Sequence, residues 1–349
     1  MLYHKQRQLN KVLCREGLTK LFGKRVFFLA LKYVVCMLFA KINIKSTEIK
    51  TKTSEVIGIS WSQLHYKILS VHLAPDNIYT ISSPLSSKDI AFLAKNVSFS
   101  RVIKQAFKFR NENGFLFALI VTVESIFFKT LLRTNSVRDV CISGHYDRYV
   151  CSISEIAKEC NIKLSVYQHG AVAALKGLPQ FHAENIYLQY GISQNTFNLF
   201  YKCGGYILCE PPDVKRIVYG VELVDGLKSI LYIGQDKSPN FNLEILSKLT
   251  LTLEELKVKY QVYHLKHPRD KNIYTVSGNY SEITDAPKNP DLIISRYSSL
   301  AYVYYILKYN VLFVNIDFVN ADFMSDASVN KISLSQLTDT EYLKKYVQE

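Results

Sequence analysis

Asp291-Leu292-Ile293-Ile294-Ser295-Arg296-Tyr297-Ser298-Ser299-Leu300-Ala301-Tyr302 is the stretch that decides the fold. A short run of branched apolar residues reads as a buried strand, and the small hydroxyl residues that end it favour a helix start. A helix is expected from near Ser298. Strand, hydroxyl turn and helix in succession are the local pattern of a parallel sheet covered by helices. A helix opening there presents unbonded backbone N–H groups and its positive dipole end. Ser298 and Ser299 add hydroxyl donors, and Arg296 adds a planar fork suited to phosphate oxygens. A plain helix cap explains the two serines equally well.

The same alternation extends outward in both directions. Strands are expected at Ser229–Ile233, Tyr260–Leu265 and Val311–Ile316, with a helix over Leu243–Val258. Further upstream, strands are expected at Val56–Ser60, Ile78–Ser82, Val137–Ser143, Ile162–Tyr167, Ile186–Leu188 and Tyr206–Leu208. Helical spacing covers Phe92–Phe109, Phe115–Leu132, Asp147–Cys160 and Asn195–Tyr201. Pro211-Pro212 and Val224-Asp225-Gly226 interrupt the pattern, placing a hinge near residues 210–228. The expected fold class is α/β with two Rossmann-like domains, 51–220 and 221–349, after a basic segment 1–50. Ligands of such sheets bind at the carboxyl ends of strands, so the cleft between domains is the expected site.

Four strand ends carry polar groups that can do chemistry. Gly144-His145-Tyr146-Asp147-Arg148-Tyr149 follows one strand, and Gln168-His169-Gly170 follows the next. His169 can take a proton from a hydroxyl, and Gly170 lets a substrate or backbone come close. Asp147 is a second candidate base, unless it simply pairs with Arg148. In the other half, His267-Pro268-Arg269 offers an imidazole that can protonate a leaving phosphate or hydrogen-bond it, with Pro268 fixing the turn. Gly234-Gln235 follows the first strand of that half and is expected to border the cleft near the donor or the acceptor.

The 349 residues carry 43 basic and 30 acidic side chains, a net charge of +13. Residues 1–52 hold twelve basic and two acidic groups, so +10 lies there and only +3 in the remainder. A nucleic-acid groove through the body would need more excess charge than that, so no nucleic-acid partner is expected. The seven cysteines show no Cys-x-x-Cys pair, which argues against a disulfide framework or zinc site and for free thiols in a reducing compartment. Asp-x-Asp, the P-loop, Gly-x-Gly-x-x-Gly and Gly-x-Ser-x-Gly patterns are all absent, so no metal or cofactor is expected. Val26–Ala40 is apolar but shorter than the ~20 residues that span a bilayer. As a helix it groups Phe27, Phe28, Leu31, Val34, Val35 and Leu38 on one face, with Lys20, Lys24, Arg25, Lys32, Lys41 and Lys45 around it. That pattern suits either an anionic membrane surface or a core helix with a basic edge.

With His267-Pro268 and Ser298-Ser299 in order after successive strands, residues ~135–315 resemble bacterial glycosyltransferases of the two-domain GT-B architecture. More narrowly, they resemble sialyltransferases that build bacterial surface polysaccharides such as O-antigen, capsule and lipooligosaccharide. The resemblance implies two Rossmann-like domains facing each other across a cleft, CMP-sialic acid (CMP-Neu5Ac) as donor and no metal. It implies His267 near the CMP phosphate, as general acid or hydrogen-bond donor, with Ser298 and Ser299 binding that phosphate. Gly234, Gln235, Pro268 and Arg296 complete the donor set; His145, Arg148, Gln168 and Gly170 are assigned to the acceptor, a galactose-type hydroxyl of a lipid-linked oligosaccharide. One departure matters: those sialyltransferases have an acidic pair before Gly where this chain has Gln168-His169-Gly170. That triplet is closer to the His-Gly of CDP-glycerol polymerases and capsule Kdo-transferases, so CMP-Kdo and CDP-glycerol are alternative donors. A non-catalytic polysaccharide-binding protein would keep the fold without these histidines. The implied location is the cytoplasmic face of the inner membrane, as a peripheral protein.

Overall fold

The central strands of both sheets are buried over most of their length, as a parallel sheet covered on each side by helices requires. The computed structural model describes residues 1–15, 24–43, 54–110, 114–235, 239–314 and 321–347. They form two compact units: Met1–His169 with Leu175–Cys209, and Gly170–Ala174 with Glu210–Glu349.

The first unit holds β1 (Val56–Ser60), β2 (Ile78–Thr80), β3 (Asp139–Ile142), β4 (Lys163–Tyr167), β5 (Phe181–Leu188) and β6 (Tyr201–Leu208). They pair in the order β2-β1-β3-β4-β5-β6, every pair parallel. The second unit holds β7 (Lys228–Ile233), β8 (Tyr260–Leu265), β9 (Tyr280–Ile283), β10 (Leu292–Ser295), β11 (Val311–Val314) and β12 (Lys331–Ile332). Their order is β12-β11-β10-β7-β8-β9, again wholly parallel. Counted within the unit, that is the Rossmann order, and the first unit has the flavodoxin-like order with one added strand. The expected fold class, two Rossmann-like α/β domains, therefore stands.

Several boundaries differ from the sequence expectation for physical reasons. Phe92–Phe109 is not one helix: Ser87–Asn96 and Phe99–Lys108 are separated at Val97, which is extended (φ −139°, ψ 133°), and at Ser98, which caps the second. β5 and β6 reach further upstream than their apolar ends because Gly204 lets the neighbouring backbone come close. A Cβ there would lie 2.8 Å from the Glu184 carbonyl oxygen. The edge strands β9 and β12 are short and partly polar, which hides them from a hydropathy reading. Residues 315–316 of the expected strand Val311–Ile316 lie outside the described residues.

The segment 210–220 belongs with the second unit rather than ahead of it. Val221 N–H donates to the Ala286 carbonyl (3.2 Å), and Lys288 N–H returns a bond to the Val221 carbonyl (2.9 Å). Gly170–Ala174 groups with the same unit, where Val172 exchanges bonds with Asp322 through its N–H (3.2 Å) and its carbonyl (2.9 Å).

The N-terminal helices are part of the first unit. Leu2–Arg15 buries Tyr3, Leu9, Val12 and Leu13, pairs Lys5 with Glu155 (2.6 Å) and donates Gln6 Nε2 to the Arg148 carbonyl (2.7 Å). Lys24–Asn43 buries Leu29, Ala30, Tyr33 and Met37 and leaves Phe27, Phe28, Leu31, Val35, Leu38 and Phe39 exposed. The core expectation thus holds for one side of this helix, and the other side is solvent-exposed. Lys20 and Lys45 lie outside the described residues, as does the Lys41 side chain.

Phe115–Thr134 is long and apolar enough to cross a membrane by composition. Here its apolarity serves the core: Val121, Phe127, Phe128 and Leu131 are fully buried among helices 24–43, 87–96, 99–108 and 148–160. At its centre the fully buried Glu124 meets Arg148 Nε (2.6 Å) and accepts from the Tyr33 hydroxyl (2.8 Å). Arg148 therefore pairs with Glu124, not with Asp147. Breaking one partner of a buried ion pair leaves an uncompensated charge, so Glu124→Leu should cost about 3–5 kcal/mol in urea unfolding. Adding Arg148→Met to Glu124→Leu should recover most of that loss.

Candidate active site

A topological switch point is where a parallel sheet opens a crevice at its carboxyl ends. In the first unit it falls between β1 and β3, whose ends are Ser60-Trp61-Ser62 and Ser143-Gly144-His145-Tyr146-Asp147. The Ser62 hydroxyl caps helix Gln63–Leu69 by accepting from the His65 N–H (3.1 Å). Asp147 caps helix Arg148–Cys160, with Oδ1 accepting from Tyr149 N–H (2.8 Å) and Val150 N–H (3.0 Å). Its Oδ2 accepts from the Trp61 indole (2.9 Å), which ties the two strand ends together. Burial pushes the Asp147 carboxyl up from its usual range, while the two backbone N–H groups pull it down. With both oxygens engaged, Asp147 is placed as a cap and indole anchor. Gly144 admits this arrangement: a Cβ there would lie 2.4 Å from the Trp61 ring. A pocket of about 220 Å³ opens beside it, lined by Gln6, Leu9, Asn10, Trp61, Asp147 and Arg148 among others.

Three imidazoles collect on these ends. His169 follows β4, its ring stacked on His145 (centroids 4.1 Å apart) and 4.9 Å from His65. His169 Nδ1 bonds the Ser143 carbonyl, which can only accept, so the proton sits on Nδ1 and Nε2 keeps its lone pair. His145 Nε2 accepts from the His169 backbone N–H (3.0 Å), and the Tyr201 hydroxyl holds the His145 carbonyl (2.9 Å). His145 thus orients His169. Burial lowers His169 to about 4 against the opposing pull of the Ser143 carbonyl. It lowers His65 to about 3, with the neighbouring His169 adding to the effect. His145 is lowered well below the ordinary value, by burial first and then by the other two rings.

Gln168 is buried and works inside the sheet: Oε1 accepts from Gln189 N–H (2.8 Å) and Tyr190 N–H (3.3 Å), and Nε2 donates to Ser193 (2.8 Å). Gly170 has φ +67°, a backbone state that L side chains rarely adopt, and a Cβ there would lie 3.2 Å from Ser299 Oγ.

In the second unit the switch falls between β7 and β10. The sequence candidates Gly234-Gln235 and Ser295–Ser299 therefore flank one crevice, and β8, which leads to His267, runs beside β7. Ser295 Oγ donates to the Ile233 carbonyl (3.0 Å) and accepts from the Ser298 N–H (3.3 Å), stitching the two ends. Ser298 is the N-cap of helix Ser299–Ile306, yet its side chain makes no capping bond. The plain-cap explanation of these serines does not describe what Ser298 does. The Arg296 guanidinium lies 4.7 Å from the Phe241 ring centroid and 5.5 Å from that of Tyr297, within cation–π distance of both rings. His267 Nδ1 accepts from the Arg269 N–H (3.2 Å), so its Nε2 carries the proton in the neutral ring.

Four residues here escaped the sequence reading. Trp61 and His65 follow a strand end that carried no recognisable motif. Asn242 binds Gln235 at both backbone atoms, accepting from its N–H (3.1 Å) and donating to its carbonyl (2.7 Å), and is itself held by Tyr232 (2.8 Å) and Tyr274 (3.0 Å). His264, buried within β8 and lowered to about 4 by burial, places Nε2 where a Cβ on Gly234 would lie 2.5 Å away. The one tryptophan of the sequence, and an asparagine in helix Pro239–Glu255, were the cues the sequence offered. Among the described residues no group of His, Cys, Asp and Glu is arranged to hold a metal ion, and all seven cysteines are free thiols.

The depressed histidines set the acid behaviour of the first unit. Their folded-state values lie below the unfolded 6.5, so between the two the unfolded chain binds more protons. Stability is complete above about pH 6.5 and falls as pH drops toward about 4. Urea midpoints measured across that range should decline, and His65→Phe should flatten the decline by up to about 1.4 kcal/mol per pH unit.

No family model matches the chain, and no curated protein matches it in sequence. Solved structures similar to it include the UDP-GlcNAc 2-epimerase of Methanocaldococcus jannaschii in complex with UDP-GlcNAc and UDP. That match has 10% identity and a TM-score of 0.43, covering 85% of this chain and 93% of that one. The MurG protein of Acinetobacter baumannii matches at 12% identity and a TM-score of 0.39, covering 84% and 93%. The spinosyn rhamnosyltransferase SpnG, complexed with thymidine diphosphate, matches at 11% identity and a TM-score of 0.40, covering 84% and 91%.

Proposed function

We propose that the chain is an inverting, metal-independent glycosyltransferase that moves sialic acid from CMP-Neu5Ac to a galactose-type hydroxyl of a lipid-linked oligosaccharide. The observation that carries this reading is the second unit's switch point, where Gly234, Gln235, Arg296, Ser298 and Ser299 flank one crevice and an Nε2-protonated His267 ends the adjoining strand. Backbone N–H groups at a helix start, two hydroxyls and a guanidinium match the needs of a nucleotide phosphate. Pro268 limits the turn that carries His267.

In the first unit, His169 supplies the base. The acceptor hydroxyl gives its proton to His169 Nε2 as its oxygen attacks the anomeric carbon, and the bond from that carbon to the phosphate oxygen breaks. The electron pair leaves with CMP. His267 Nε2–H, Ser298, Ser299 and Arg296 stabilise the charge that grows on the phosphate, and preorganised donors of this kind are worth most in the transition state. Burial makes the His169 imidazolium costly, and an anionic substrate group beside it offsets that cost. His145 and Gln168 support this machinery from behind, and Gly170 gives the acceptor room.

A second reading has specific support. Gln168-His169-Gly170 places an imidazole rather than a carboxylate before the glycine, which favours CMP-Kdo or CDP-glycerol as donor. Thermal melting with CMP, UDP and CDP-glycerol separates the cases. CMP should raise the transition, by about 2.7 kcal/mol of stabilisation at a hundredfold excess over Kd. A shift with CDP-glycerol alone moves the donor, one with UDP alone replaces the CMP reading, and none with any nucleotide favours a non-catalytic polysaccharide-binding protein. Gly234→Ala should abolish the CMP shift by driving its methyl into His264. His169→Asn and His267→Ala should each lower transfer from CMP-Neu5Ac at least ~10²-fold, and retained turnover removes that residue from the mechanism.

A further inference from the structure

Helix Lys24–Asn43 has an apolar side that the fold does not use. Phe28 is 63% exposed, Phe39 59%, Phe27 50% and Leu38 48%, with Leu31 and Val35 between them. At about 100° per residue these six side chains fall within about 120° of arc, centred about 150° from the buried Ala30, Tyr33 and Met37. One helix thus has two opposite apolar faces, one in the core and one in solvent. Contiguous exposed apolar area of this kind marks an interaction surface rather than scattered surface hydrophobes.

The helix cannot turn that face inward. The Tyr33 hydroxyl donates to Glu124 (2.8 Å) and accepts from the Leu85 N–H (3.2 Å), and Lys32 Nζ donates to the Leu85 carbonyl (2.9 Å). Rotation would break the bonds that satisfy a fully buried carboxyl. Exposure of the stripe is therefore built in.

Charge decides what covers it. Lys24 lies in line with the stripe at its start, and Arg25 and Lys32 border one edge, all three exposed. The helix belongs to the 52-residue stretch that holds a net +10 of the chain's +13. A second copy docking there would set two such stretches against each other, whereas anionic lipid headgroups are attracted to them while the acyl region takes the aromatic and leucine side chains. We infer that the exposed face of helix 24–43 docks the protein onto an anionic bilayer surface. The helix lies in the interface plane, because its opposite side is fixed to the protein core and cannot face lipid.

This inference stands apart from the transferase reading and is tested without any substrate. The full chain is sedimented with vesicles of phosphatidylcholine alone and of phosphatidylcholine with one quarter phosphatidylglycerol. Binding is expected to the anionic vesicles, weakening as salt rises, and the F28S/L38S double variant should lose at least ~10-fold in affinity with its urea midpoint unchanged. A single Phe28→Trp variant gives a direct readout: its added emission should shift to the blue on anionic vesicles and not on neutral ones. Equal binding of wild type and the double variant, or no preference for anionic vesicles, overturns the inference. So does a dimer in vesicle-free solution that the double variant splits, which would assign the face to a second copy.

Discussion

A carboxyl group at the middle of the long, apolar helix Phe115–Thr134 is tolerable only if something meets its charge there. Arg148 and Tyr33 meet Glu124 from two other helices, and much of the first unit is positioned by that encounter. Arg148 begins the helix that Asp147 caps, so fixing Arg148 fixes the loop Ser143–Asp147. Asp147 holds the Trp61 indole, and the Ser143 and His145 ends of the same loop hold His169 by its ring and its backbone. A polar contact in the core is thereby connected, residue by residue, to the His169 imidazole and the tautomer it adopts. Such buried pairs add little net stability compared with apolar packing, and their value lies in specifying one arrangement.

The two sheets solve the same problem with different groups. Each opens at the place where its strand order reverses, and each lines that place with the residues that follow two adjacent strands. In the first unit the lining is aromatic and imidazole-rich, and burial keeps its three histidines uncharged near neutrality. In the second it is hydroxyl, guanidinium and backbone N–H, with Asn242 holding the Gln235 loop at both its donor and its acceptor. One is suited to receive a proton, the other to receive a negative charge.

Strand ends were legible in the sequence because short branched apolar runs stopped abruptly at polar residues or Gly, as at Ser295 and at Gln168 after Tyr167. The Rossmann-like class followed from that alternation alone. What stayed hidden was non-local. Gln168 looked available to a substrate until its amide was found bonded to Gln189, Tyr190 and Ser193. Arg148 lay beside Asp147 in sequence, but its partner is 24 positions away. His65 and His264 carried no motif, since a histidine acquires its meaning here from rings and glycines brought to it by the sheet. The N-terminal helix was ambiguous because its period serves two faces, and no periodicity argument can tell which of them the core takes.

The backbone leaves and re-enters the first unit more than once: Gly170–Ala174 folds with the second unit, the chain returns for Leu175–Cys209, and it leaves again at Glu210. Three covalent crossings, rather than one linker, join the halves. Neither half is a contiguous piece of sequence. A fragment ending at Cys209 would carry Val172 without Asp322, whose carboxylate accepts from the Val172 N–H and whose own N–H donates to the Val172 carbonyl, and a fragment beginning at Glu210 would lack the five residues that complete it. Dissection at the obvious Pro211-Pro212 boundary therefore yields two mutilated halves, and the evolutionary exchange of one half for another would have to carry that five-residue patch along with it.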